Sequence, residues 1–237
     1  MNSRLLSPLF LAAALAGCGS TSTSSEPEFG EASGNGWRDS FPVDRTTLRS
    51  SGKSAYFDLT PGACSVFEHG KTRLTITVLD ETRVVDHVET RVVEEHEEVD
   101  GKPKEISRNF FAIEPASGDV YYFGEEVDVY KHGEICGHPG GWVAGVSGAR
   151  LGLALPGNAK LGDKYFQEFA PAVAMDRGEI VGVSETMRTP AGTFEHCLHV
   201  RETTPIEADV GDKWYAPGIG LVRDDDLLLV AHTSPAR

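Results

Sequence analysis

Histidine and cysteine recur in two short runs, His132, Cys136 and His138, then His196, Cys197 and His199. Imidazole with thiolate is a donor set for soft or borderline metal ions. Neither run has a recognised ligand spacing, and on an extended strand positions 196 and 199 point to opposite faces. Turn and surface histidines are the simpler reading, and no metal is expected. Oxygen ligands for calcium could come from Glu125, Glu126 and Asp128, or from the run Asp224 to Asp226, but neither follows the ordered loop of a calcium site. Gly145-Val146-Ser147-Gly148-Ala149 approaches the nucleophile-elbow pattern and misses it, because Ala149 stands where the pattern needs glycine and no helix is expected to follow. A hydrolase using Ser147 therefore ranks third among the readings, and no catalytic residue is assigned. The chain has no phosphate-cradling loop and no dinucleotide fingerprint, so no cofactor is expected. Beyond Cys18, the thiols are Cys64, Cys136 and Cys197. An odd set allows at most one internal bridge, and spacing does not choose the pair. The remaining chemistry is aromatic. Tyr121, Phe123, Trp142, Tyr165 and Phe169 are the candidates to line an apolar cavity, although filling a core is the commoner use of such rings.

The elements that would position these groups are strands. Leu74, Ile76 and Val78 alternate with Arg73, Thr75 and Thr77, the period of a strand with one buried face. Asp86-His87 and Asp100-Gly101 read as hairpin turns, the second more strongly because a two-residue hairpin needs positive φ, which Asp and Gly tolerate. Pro115 to Gly118 turns the chain into Val120 to Phe123, which sends Tyr121 and Phe123 to one face and Tyr122 to the other. A bulge or turn is expected at Gly124 to Glu126, and a turn at His132-Gly133. Residues 138–162 are Gly-rich and read as a long loop. Strands return over 165–169, 178–187, 193–203, 213–216, 219–223 and 227–231. No stretch shows a sustained helical period. The expected fold is all-β and mostly antiparallel, with at most one short helix. A single sheet of this many strands must curl, so a half-barrel or a closed barrel is expected.

The first 17 residues have the make-up of an export signal, with Arg4 ahead of the apolar stretch Leu5 to Ala16. Leu15-Ala16-Gly17-Cys18 resembles the bacterial lipobox. That resemblance implies cleavage before Cys18, acylation of its thiol, and attachment to a membrane through the N-terminal lipid. Gly19, where some bacteria place a retention Asp, favours the outer membrane, on its periplasmic or surface face. Residues 18–40 are rich in Ser, Thr, Gly and Glu and read as a flexible tether, leaving 41–237 as one domain whose first ordered residue falls between Trp37 and Tyr56. The chain carries 22 basic and 36 acidic side chains, net −14, which speaks against nucleic acid as a partner.

Ala55-Tyr56-Phe57-Asp58-Leu59-Thr60-Pro61-Gly62, Thr189-Pro190-Ala191-Gly192-Thr193-Phe194 and Tyr215-Ala216-Pro217-Gly218-Ile219-Gly220-Leu221-Val222 carry a wider likeness. With Tyr121 to Glu126, Gly141 to Val146 and Leu155-Pro156-Gly157 they resemble an uncharacterised family of bacterial exported proteins and lipoproteins, over most of the chain after residue 50. The resemblance implies an envelope location and a β fold, and no activity. The expectation is a non-enzymatic, lipid-anchored envelope domain that binds a small or apolar ligand, or an envelope component. A module making only protein contacts is the alternative.

Overall fold

A computed structural model describes residues 36–235. The stretch read as an export signal, Cys18, and residues 18–35 of the expected tether lie outside them.

The first half of the described chain is a meander. Cys64–His69 (β1), Thr72–Val85 (β2), Val88–Val99 (β3), Lys102–Ile113 (β4) and Val120–Lys131 (β5) pair antiparallel in sequence order. Glu134–Gly137 (β6) folds back onto β5, and Trp142–Val143 (β7) and Gly152–Leu155 (β8) pair with other stretches of β5. The second meander comprises Lys164–Phe166 (β9), Arg177–Thr189 (β10), Gly192–Thr203 (β11), Val210–Ala216 (β12), Gly220–Asp224 (β13) and Leu227–Thr233 (β14). Its last strand, β14, pairs with β1, so the two meanders fuse into one 14-stranded sheet. The sheet is not closed, since β6 and β9 stand at its ends. No helix occurs among the described residues. The open form is therefore the one adopted, and the run 138–162 differs from the expected loop in carrying β7 and β8.

Local chemistry explains the hairpins. Asp86 and His87 have φ of 46° and 66°, and Asp100 and Gly101 have 54° and 70°. Two consecutive positive φ values give the turn whose twist matches the flanking strands, and Val85 pairs with Val88 across the first and Val99 with Lys102 across the second. The expected irregularity at Gly124 is a bulge inside β5, where the partner register shifts between Asn109 and Phe111. β7 crosses β5 there so closely that a Cβ on Gly124 would lie 2.2 Å from the Trp142 carbonyl oxygen.

Curling brings the two ends of the sheet together. Arg150, just before β8, donates from its amide to the Phe169 carbonyl at 2.8 Å, and a Cβ on Gly152 would lie 2.0 Å from the Gln167 carbonyl oxygen. A seam with so close an approach admits only glycine. The outer flank of β9 is covered by the chain's own leading segment. Arg38 donates its amide to the Lys164 carbonyl and accepts from the Phe166 amide, at 3.0 and 2.9 Å. Trp37 lies edge-on to Phe166 with the Arg177 guanidinium 4.4 Å from its ring. Among the described residues these contacts reach back to Trp37, within the residues assigned to the tether.

Candidate functional site

Register builds the interior. In β2, β3 and β4 the residues on the concave face fall into cross-strand rows. Ile76 pairs with Glu95 and Glu95 with Ser107; Leu74 pairs with Glu97 and Glu97 with Glu105; Val78 pairs with Val93 and Val93 with Asn109. An apolar row on β2 is thereby laid beside acids on β3 and β4. The facing wall comes from the second meander and its loops, through Glu168, Asp176, Glu202, Lys213, Tyr215 and Asp224. Between the walls is a cavity of about 270 Å³, whose apolar side is formed by Phe57, Phe67, Leu74, Ile76, Val78 and Phe111.

The polar side carries an excess of acid. Nine carboxyl residues line the cavity against a single lysine, Lys213. Some are compensated: Lys213 Nζ lies 2.9 Å from Glu202 Oε2 and 3.9 Å from Asp224 Oδ2, and Lys104 lies 2.9 Å from Glu97. Glu95, Glu105 and Glu168 have no ion-pair partner among the described residues. Glu168 is 5% exposed and its Oε2 has no hydrogen-bond partner. Just behind the wall, Glu125 is 1% exposed and both its oxygens lack partners. Tyr122 lies beside Glu125 but donates its hydroxyl to Asn109 Oδ1 at 2.5 Å.

The carboxyls respond as buried, mutually repelling acids must. Burial, then the neighbouring acids, push Glu105 up, and push Glu125 and Glu168 well above the usual range. Burial also raises Glu95 against the pull of Lys213. Asp176 is raised to about 6 and Asp224 to about 7, burial being the main cause in both. Burial alone would lower the Lys213 ammonium, but Asp224 and Glu202 outweigh it and hold the group well above the usual lysine range. Lys213 and Asp224 keep part of their side-chain surface accessible, and both line the cavity.

Two other clusters are closed. His199 is held between Glu185, at 3.1 Å from Nδ1, and Asp212, at 2.7 Å from Nε2. Its ring stacks on Trp214 at 4.2 Å, and Trp214 Nε1 donates to Glu185 at 2.7 Å. Every polar atom of the imidazole is used within the network, which leaves no open position for a ligand. At the other end of the cavity, Ser65 Oγ lies 3.0 Å from His232 Nδ1. A nucleophile and base would need a third group to orient the ring. Asp58 does not serve, because its carboxylate is held by Lys53 at 2.7 Å and by Ser234 at 2.8 Å.

The residues singled out from the sequence are distributed as follows. Tyr121, Phe123, Trp142 and Tyr165 are buried and Phe169 is half-buried. None of the five lines the cavity, whereas Tyr122 does. Tyr121 packs edge-on to Phe41, Trp142 edge-on to Tyr122, and Phe169 lies under the Arg150 guanidinium at 3.8 Å. Ser147 is exposed at a turn with φ 52°, and no histidine is hydrogen-bonded to it among the described residues. His138 contacts Asp128 at 2.8 Å, Glu126 pairs with Arg83, and Glu125 is turned inward, so that acid run does not converge. Among the described residues no group of three or more His, Cys, Asp or Glu is placed to hold a metal ion, and Cys64, Cys136 and Cys197 are free thiols. Sequence reasoning missed Glu95, Glu105, Glu168 and Lys213. One signal was present, since Glu95 and Glu97 share strand parity with Val93 and so continue its inward face.

No protein-family model matches the chain, and no curated protein matches it. Among solved structures, the chain is similar to a protein of Bacteroides fragilis provisionally described as exported, with a YmcC-like fold. That likeness has 17% identity and a TM-score of 0.42, and covers 76% of this chain and 100% of the other. A protein of Parabacteroides distasonis provisionally described as a lipoprotein is similar at 14% identity and a TM-score of 0.39, covering 77% of this chain and 100% of the other. Likenesses at this level carry no argument about function.

Proposed function

We propose that this chain is a non-enzymatic, lipid-anchored envelope protein whose curved β domain holds a small ligand in its cavity. The observation that carries the reading is the cavity itself, about 270 Å³ between an apolar and an acidic wall, with Oε2 of the buried Glu168 unpartnered at its edge. Small-molecule sites are typically about 300–1,000 Å³, apolar with a few placed polar groups. This one lies just below that range, which suits a ring-sized molecule better than the paired acyl chains of a lipid. The absence of an orienting acid at Ser65 and His232, and of a histidine at Ser147, favours binding over hydrolysis. The lipobox-like Leu15 to Cys18 supplies the anchor, since two or three acyl chains together hold a protein at a membrane almost irreversibly, and Gly19 favours the outer membrane.

Native mass spectrometry of a gently purified Cys18→Ser form tests the reading. A reproducible non-covalent adduct of small-molecule mass, lost on denaturation, is expected. A bare protein from several preparations would overturn it and leave the protein-contact role as the better account.

A further inference from the structure

Resting on the ligand-binding reading above, we infer that the cavity is built for a small protonated amine with an apolar body. Three observations on the molecule converge on this class. First, the charge balance is one-sided: of nine lining carboxyl residues, Asp58, Glu97, Glu202 and Asp224 are paired by lysines, and Glu95, Glu105 and Glu168 have no base of their own among the described residues. A buried carboxylate without a partner is costly, which is why burial favours the protonated form of these groups in the free fold, and a bound cation takes the place of that proton. Second, Glu168 is 5% exposed, lines the cavity and leaves Oε2 without a hydrogen-bond donor. It is a buried acceptor at the cavity wall that no donor of the protein satisfies. An ammonium brings three donors and no acceptor, which matches a wall of acceptors. Third, the carboxyls are dispersed along several strands and do not converge as a metal site among the described residues. Dispersed acids suit an organic cation, whose hydrogen-bond donors reach separate partners, better than a bare ion that needs its ligands in one shell.

The opposite wall determines the rest of the molecule. Phe57, Phe67, Leu74, Ile76, Val78 and Phe111 offer no donor for a second polar end, and the volume limits the body to a single ring or a short alkyl chain. Neutral and anionic molecules of the same shape are disfavoured for the same reason. An alcohol satisfies fewer of the acceptors, and a carboxylate meets like charge.

Binding of three matched probes to the full chain in nonionic detergent tests the assignment: benzylamine, benzyl alcohol and benzoate, by calorimetry and by thermal unfolding at pH 7.5. Benzylamine should bind and raise the melting temperature, with benzyl alcohol at least about tenfold weaker and benzoate weaker still. Glu168→Gln should cost benzylamine about tenfold, the size expected for a lost hydrogen bond to a charged group, and leave benzyl alcohol unchanged. Glu95→Gln serves as a second variant, and the unfolding curve of each shows whether it is folded. Equal binding of the alcohol or benzoate, or an amine-free adduct on the purified protein, would overturn the amine assignment and leave the ligand reading standing. If no probe binds and no adduct is found, both readings fall.

Discussion

Lys213 is the base around which the interior acids are balanced. Its ammonium reaches Glu202 at 2.9 Å and Asp224 at 3.9 Å, and removing it strands both inside the fold. Breaking a buried pair by deleting one partner typically costs about 3–5 kcal/mol. Lys213→Met should therefore lower stability by about that amount in urea unfolding at pH 7.5. The loss should shrink at pH 5, where Asp224, raised to about 7, is already protonated and needs no partner. An equal loss at both pH values would contradict the interior placement of Asp224. At this scale the sequence was only half legible. Alternation correctly separated Tyr122 from Tyr121 and Phe123, because side-chain parity is a property of the backbone. Which face looks into the cavity depends on the direction of curl, and that is set by strands far away in the chain. Glu95 and Glu105 were hard to read for a related reason: a charged residue in a strand normally faces water, and the parity that Glu95 shares with Val93 gives its face without showing that this end of the face is enclosed.

The strands themselves were much more legible, since hairpins are local. Asp86-His87 and Asp100-Gly101 fix register by their positive φ, and the strands they join follow from β-branched alternation. The seam between β8 and the residues after β9 was invisible, because it joins positions on opposite ends of a sheet order that no local pattern specifies. Gly152 is its key residue. With the Gln167 carbonyl oxygen 2.0 Å from where a Cβ would sit, Gly152→Ala must push the two ends apart. A loss of about 1–3 kcal/mol is expected, as for overpacking in a core. Gly133→Ala is the control, because nothing lies near its Cβ position and only its positive φ of 86° is strained. Amide exchange should localise the Gly152→Ala effect, with protection lost first at Arg150, whose amide donates across the seam. Uniform loss across β2 to β4 would mean that the seam is not an independent unit.

For the molecule as a whole, the interior acids set the response to pH. Burial holds Glu95, Glu105, Glu168, Asp176 and Asp224 above their ordinary ranges, Asp176 to about 6 and Asp224 to about 7. The folded state therefore keeps protons that the unfolded chain releases near pH 4, and stability must fall as pH rises from about 4 through 7. Lys213, raised, loses its contribution only above the usual lysine range. Asp58 is lowered, because bonds from Lys53, Thr60 and Ser234 outweigh its burial, and its effect lies below about pH 4. The melting temperature at pH 5 should thus exceed that at pH 8 by about 4 °C or more. A higher value at pH 8 would show that these carboxyls are solvated. The composition gave the excess of acid, net −14, and not its inward share. The hold of Trp37 and Arg38 on β9 has a mechanical consequence. With the lipid anchor proposed above, a pull on the N-terminus would fall first on the cap of the sheet's free edge. Peeling that cap would bare the backbone donors and acceptors of β9 for pairing with a neighbouring copy. The same few residues therefore cover an edge that would otherwise be open to strand exchange.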